Sequence, residues 1–108
     1  MTAKYIQDGK AIEITAAGAI EAGDVVVLGG IVGVANFPIT SGGTGAVAIE
    51  GVFEMPKESG LAISGGVSVY WNPTSNYVTT SSGGSNVVCG KTIVPAGATV
   101  TVVQVKLN

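Results

Sequence analysis

The side chains that could do chemistry in this sequence are few, and they do not combine into a catalytic arrangement. Histidine is absent, so the usual general base is missing and Ser–His–Asp and Cys–His arrangements are excluded. The single cysteine, Cys89, follows Val87 and Val88, and this apolar context predicts a small buried side chain rather than a nucleophile. One cysteine cannot form an internal disulfide, and without histidine it cannot supply the ligands of a zinc site.

One short segment is similar to a nucleotide-binding motif. Gly90-Lys91-Thr92 matches the end of a phosphate-binding P-loop. The full motif requires glycine five residues before the Gly-Lys pair, where this chain has Ser85. It also requires a helix after the lysine, and Pro95 disfavours a helix at that point. The sequence therefore predicts no nucleotide site here.

The 7 carboxylates include no close pair. Glu50 and Glu54 share one face of a predicted strand, but a strand rise separates them by about 13 Å. That distance is too large for a close acid–base pair, so we expect a solvated face. We predict that the protein is not an enzyme and requires no cofactor, no metal ion and no small-molecule substrate.

Composition indicates which partners the surface suits. Hydrophobic residues make up 46% of the chain and charged residues 11%, against about 25% charged in ordinary soluble domains. A neutral surface loses water at low cost, which favours contact with other proteins, although a surface that is merely rich in Ser and Thr fits the same numbers. The 5 basic residues are all lysines spread along the chain, which disfavours nucleic-acid binding. The polar N-terminus and the lack of a long apolar run predict neither a signal peptide nor a membrane span.

The elements that would position these residues are short strands. Short runs rich in Val, Ile and Thr are separated by 17 glycines and 4 prolines, which is typical of strands joined by tight turns. The chain is predicted to be all-β, a small single-domain β-barrel or two-sheet sandwich of about seven or eight short strands. The predicted strands are residues 11–17, 25–28, 31–35, 45–55, 67–71, 77–80, 87–94 and 98–107.

Four of these strands carry further information. Gly29-Gly30 predicts a hairpin whose apolar arms are buried on both faces, either by the chain's own core or by a neighbouring subunit. Gly51, in the middle of a predicted strand, indicates a bulge or a close backbone approach. The apolar pattern of residues 98–107 changes phase, which predicts a bulge near Val102 and Val103 or a strand buried on both sides.

Residues 1–10 have no strand pattern of their own. We interpret them as an N-terminal arm that becomes ordered against a partner, followed by a β domain over residues 11–108. An ordinary frayed terminus or an edge strand would have a similar sequence.

The order of these segments resembles the phage capsid cement, or decoration, proteins. The resemblance covers most of the chain through AKYIQDGKAIEITA at 3–16, EAGDVVVLGGIVGVA at 21–35, AIEGVFEMPKESG at 48–60, VYWNPTSNYVTT at 69–80 and VTVVQVKLN at 100–108. Some members of that family have a RecA/RadA-like recombinase label. The incomplete P-loop argues against such an activity here.

The resemblance implies a structural virion protein that is made in the bacterial host cytoplasm and binds the outside of an assembled capsid. It implies the major capsid protein as the partner and a homotrimer as the oligomer. The candidate partner-binding residues are Lys4, Tyr5, Ile6 and Gln7 in the arm, with Tyr70 and Trp71 as aromatic anchors. Trp71 shares a face with Val67 and Val69, so a core position is the alternative for it. The alternative function is a β-barrel interaction module of another virion part, such as a tail or adaptor.

Overall fold

The computed structural model describes residues 3–5 and 9–108, and these residues form nine strands and no helix. The strands lie in two antiparallel sheets, which confirms the all-β prediction and is consistent with a two-sheet sandwich. The strands are β1 (Ala11–Thr15), β2 (Val25–Leu28), β3 (Ile31–Ala35), β4 (Thr44–Ala48), β5 (Val52–Pro56), β6 (Ser68–Asn72), β7 (Tyr77–Thr79), β8 (Val87–Thr92) and β9 (Val102–Leu107).

The first sheet has the strand order β1-β4-β3-β2 and contains the predicted Gly29-Gly30 hairpin. Gly29 has a φ of 66°, the left-handed conformation that a tight hairpin turn requires. On β3, Val32 and Val34 face the second sheet, while Ala35 faces a smaller cluster on the opposite side. The chain's own core therefore covers both faces of β3. The edge strand β2 is only half-buried.

The second sheet has the order β5-β9-β8-β6-β7 and surrounds the main core. Beyond the end of β5, Lys57 forms a parallel bridge with Val78 of β7, and the backbone N–H of Glu58 donates to the Val78 carbonyl at 3.0 Å. This contact brings the two edge strands together, so the sheet curls around its apolar side chains. Its inward-facing residues include Met55, Val69, Trp71, Val78, Cys89, Val103, Val105 and Leu107.

The predicted single strand over residues 45–55 is wrong, because the chain changes sheet within it. β4 pairs with β1 and β3, whereas β5 pairs with β9. Gly51 lies between the two strands with a φ of 115°, which is strained for any residue with a side chain. The glycine therefore marks a crossover between sheets rather than a bulge within one strand.

The last strand also differs from the prediction, since it begins at Val102 and pairs without a register shift. The phase change arises because Val100 lies in the preceding turn, outside the ladder. The register shift occurs instead between β6 and β8, where Val69 pairs with Gly90 and Tyr70 pairs with Val88. A Cβ atom on Gly90 would lie 1.9 Å from the Lys106 carbonyl oxygen, so only glycine allows β8 and β9 to approach this closely.

Candidate protein-interaction surface

The two predicted aromatic anchors lie next to each other on β6 and point in opposite directions. Trp71 is 3% exposed and packs in the main core. Tyr70 is half-buried on the other face of the strand, opposite Val88 of β8. Of the two roles that the sequence left open for Trp71, the structure shows the core role, and Tyr70 remains on the outside.

The predicted arm residues are only partly within the described part of the chain. Lys4 and Tyr5 are exposed, and Tyr5 is exposed to 75%. Ile6 and Gln7 lie outside the described residues. The division of the chain at residue 10 stays a prediction, although the first strand begins at Ala11.

The outer face of the second sheet, meaning the side chains of β5, β9, β8 and β6 that point away from the core, is a continuous surface. The register places Val52, Lys106, Lys91 and Ser68 in one row across these four strands. Tyr70 and Val88 form a neighbouring pair on the same face. The face therefore includes Tyr70 and presents apolar groups next to two positive charges.

Exposed apolar side chains are concentrated on this outer face and at its rim. Each of the following is between 43% and 55% exposed, which is high for a large aliphatic side chain: Val52, Val88, Ile93, Val94 and Val100. Val52 and Val88 lie on the face itself and the other three lie in the connection from β8 to β9, so this side of the domain is a candidate protein contact site.

The close pairing of two of the five lysines could not be predicted from the sequence. Lys91 on β8 and Lys106 on β9 are direct register partners, although they are far apart in the sequence. Both are exposed, and within the described part of the chain neither forms an ion pair. They line a surface depression of about 520 Å³ together with Ser68, Val88, Gly90 and Asn108. The alternation on β8 and β9 places both lysines on the outer face, but only the strand order brings them together.

The residues whose chemistry could suggest catalysis or nucleotide binding, Cys89 and the Gly90-Lys91-Thr92 segment, lie within strand β8. Cys89 is fully buried, as predicted, and desolvation raises the pKa of its thiol to about 12. Gly90, Lys91 and Thr92 belong to β8, and the Thr92 hydroxyl donates to the Ser64 carbonyl at 2.6 Å. A paired strand with an occupied hydroxyl lacks the free backbone N–H groups with which a P-loop holds phosphate.

The described residues contain no group of three or more His, Cys, Asp or Glu side chains that could hold a metal ion. A surface cavity of about 590 Å³ beside β2 has Asp24 as the one titratable residue among the described residues that line it. No helix within residues 3–5 and 9–108 is long and apolar enough to span a membrane. The outer face of the second sheet is therefore the candidate site for contact with a partner.

A comparison with known protein families shows to which family the chain belongs. The family model for phage cement proteins matches residues 6–107, which is nearly the whole chain. The chain belongs to the phage cement protein family. The resemblance inferred from the sequence segments is thereby confirmed. Comparisons with curated proteins and with solved structures found no match.

Membership of the phage cement family is consistent with an apolar surface that carries few charges. Phage cement proteins are structural proteins of the virion that stabilise the capsid, so a capsid protein is the partner of this cement protein in general terms. A surface with exposed valines and few charges suits such a role, because its desolvation costs little. The family match itself assigns no residue to the contact.

Proposed function

We propose that this cement protein binds the outside of an assembled phage capsid and stabilises it by contacts with the major capsid protein. The observation that carries the proposal is the outer face of the second sheet, with its exposed apolar residues, in a chain of the cement family. A protein that binds only the assembled lattice stabilises it by mass action. Contacts with several capsid subunits at once add avidity.

The proposed capsid contact has two parts. The arm supplies Lys4, Tyr5, Ile6 and Gln7, and the outer face supplies Tyr70. The half-buried position of Tyr70 on the outer face supports this assignment, since aromatic residues at the centre of an interface contribute much of its binding energy. Trp71 is buried in the main core, so the proposal gives it no part in the contact.

The proposed oligomer is a homotrimer, because a small symmetric oligomer matches a symmetric site on a lattice. A second exposed apolar region is available for contact between copies. It consists of the half-buried edge strand β2, with Ile31 exposed to 40% and Phe37 exposed to 75%. A map of decorated capsids by electron cryomicroscopy would show three copies around each site, whereas isolated single copies would contradict the trimer.

Deletion of residues 2–9 tests the arm. We expect the shortened protein to keep a cooperative thermal transition and to lose attachment to purified capsids that lack the cement protein, measured by co-sedimentation. The full-length protein should attach and raise the melting temperature of these capsids. Unchanged occupancy by the shortened protein would contradict the role of the arm. Failure of the full-length protein to attach would contradict the proposed function and favour another part of the virion, such as a tail or adaptor.

A further inference from the structure

Lys91 and Lys106 stand side by side on the outer face, directly opposite each other on β8 and β9. Like charges at such positions repel and destabilise the sheet. The only carboxylate in the five strands of this sheet is Glu54, which lies opposite Gln104 rather than opposite a lysine. The sheet therefore holds two adjacent ammonium groups without an ion-pair partner among the described residues, at a cost to its own stability.

The positive charge of the β domain is concentrated at this pair. From residue 11 onward the chain has three lysines and no arginine. Lys57 is 5% exposed, and its ammonium group donates to the carbonyls of Glu58 and Leu61. Lys91 and Lys106 are thus the exposed cations of residues 11–108, on a chain whose net charge is −2.

The surroundings of the pair are suited to a peptide segment. The depression of about 520 Å³ at the two lysines includes Val88, which is 48% exposed, and Val52 flanks the pair on β5. Ammonium groups next to exposed valines match a segment in which carboxylates alternate with apolar side chains. Nucleic acid would meet a chain with a net negative charge and no arginine, so the observations favour a protein partner.

We propose that Lys91 and Lys106 form the docking point for a carboxylate-bearing segment of the capsid protein. This inference rests on the proposed function and adds the chemistry of the partner. The pair loses its mutual repulsion when a carboxylate lies between the two ammonium groups. Complementary charges at an interface mainly increase the association rate and the specificity of binding, so the contact is also sensitive to salt.

Capsid binding by charge variants provides the first test. We expect Lys91→Gln and Lys106→Gln each to weaken binding about threefold, and the double variant to weaken it about tenfold or more. Glu13→Gln is the control, because it changes the charge by one unit at an exposed position of the first sheet, and it should bind like the unmodified protein. The melting temperature of the free single variants should stay the same or rise, since the repulsion is removed. Equal binding by the double variant would overturn the inference while leaving the proposed function intact.

A direct test with the isolated protein does not depend on capsids. A ten-residue peptide of alternating Glu and Val should shift the amide resonances of residues 88–91 and 106–108 in a nuclear magnetic resonance titration. The same peptide with Gln in place of Glu should leave them unchanged. Equal shifts with both peptides, or no shift with either, would overturn the inference. So would shifts caused by a single-stranded DNA oligonucleotide and not by the acidic peptide.

Discussion

Replacement of Gly90 by alanine should cause a large loss of stability, because the site excludes a side chain in two independent ways. The residue has a φ of 149°, and the added Cβ would lie 1.9 Å from the carbonyl oxygen of Lys106. The backbone strain alone costs about 1–3 kcal/mol. Separation of the atoms to about 3 Å requires β8 and β9 to move apart, a distortion comparable to overpacking a core, at about another 1–3 kcal/mol.

The expected total is therefore about 2–6 kcal/mol, a large part of the roughly 5–15 kcal/mol that stabilises a typical domain. For a chain of this size it corresponds to a fall in melting temperature of at least about 10 °C. Thermal and guanidinium unfolding would be followed by circular dichroism and by the fluorescence of Trp71, the single tryptophan in the chain, which lies in the core of the same sheet.

Two alanine controls separate the contribution of backbone strain from that of the steric clash with the Lys106 carbonyl oxygen. Gly84 has a φ of 61° and nothing within 4 Å of an added Cβ, so Gly84→Ala measures strain without a clash. Gly97 has neither a positive φ nor a close neighbour, so Gly97→Ala should change the free energy of unfolding little. If Gly90→Ala were no more destabilising than Gly84→Ala, the close approach of β8 and β9 at this position would be refuted.

Three further predictions concern residues of the second sheet. Trp71→Ala should destabilise the domain by about 3–5 kcal/mol because it empties a core position. Tyr70→Ala should change the free energy of unfolding by no more than about 1 kcal/mol and should weaken capsid attachment. Equal losses of stability in urea titrations would contradict the assignment of Trp71 to the inside and Tyr70 to the outside of the sheet. Cys89 should resist iodoacetamide at pH 8 unless the protein is unfolded. Its thiol has a pKa of about 12 in the fold against an ordinary value of 9.0, so above pH 9 the unfolded chain gives up this proton while the folded chain keeps it. Stability should then fall by about 1.4 kcal/mol per pH unit from pH 9 towards pH 12, and a Cys89→Ala variant with the same slope would contradict this.

The features that could be predicted from the sequence are those fixed by neighbouring residues. The hairpin at Gly29-Gly30 has its turn signal next to two apolar runs, and the turn that begins at Asn72 is also local. There the Asn72 side-chain oxygen accepts hydrogen bonds from the backbone N–H groups of Thr74 and Ser75 at 2.9 and 3.0 Å. Both hairpins were predicted with nearly correct bounds.

The features that could not be predicted depend on which strands become neighbours. Phe53 and Met55 continue the apolar alternation of Val47 and Ile49, and Gly51 indicates a local irregularity without showing that the chain changes sheet there. The local pattern therefore does not distinguish one long strand from two strands in different sheets. The pairing of Lys91 with Lys106 follows from the order β9-β8, which neither strand's own sequence specifies. Trp71 and Tyr70 could be assigned to opposite faces by alternation, but only the packing shows which face is covered.

The place of β9 between β5 and β8 has a consequence for biosynthesis. Strands β1 to β4 pair only among themselves, so the first sheet can form while translation of the rest continues. The second sheet cannot be completed until residues 102–107 leave the ribosome, and until then β5 has no neighbouring strand to pair with and β8 is paired on one side only, with β6. A nascent chain therefore exposes Met55, Val69 and Trp71 to solvent, and chaperones have a period in which to bind it.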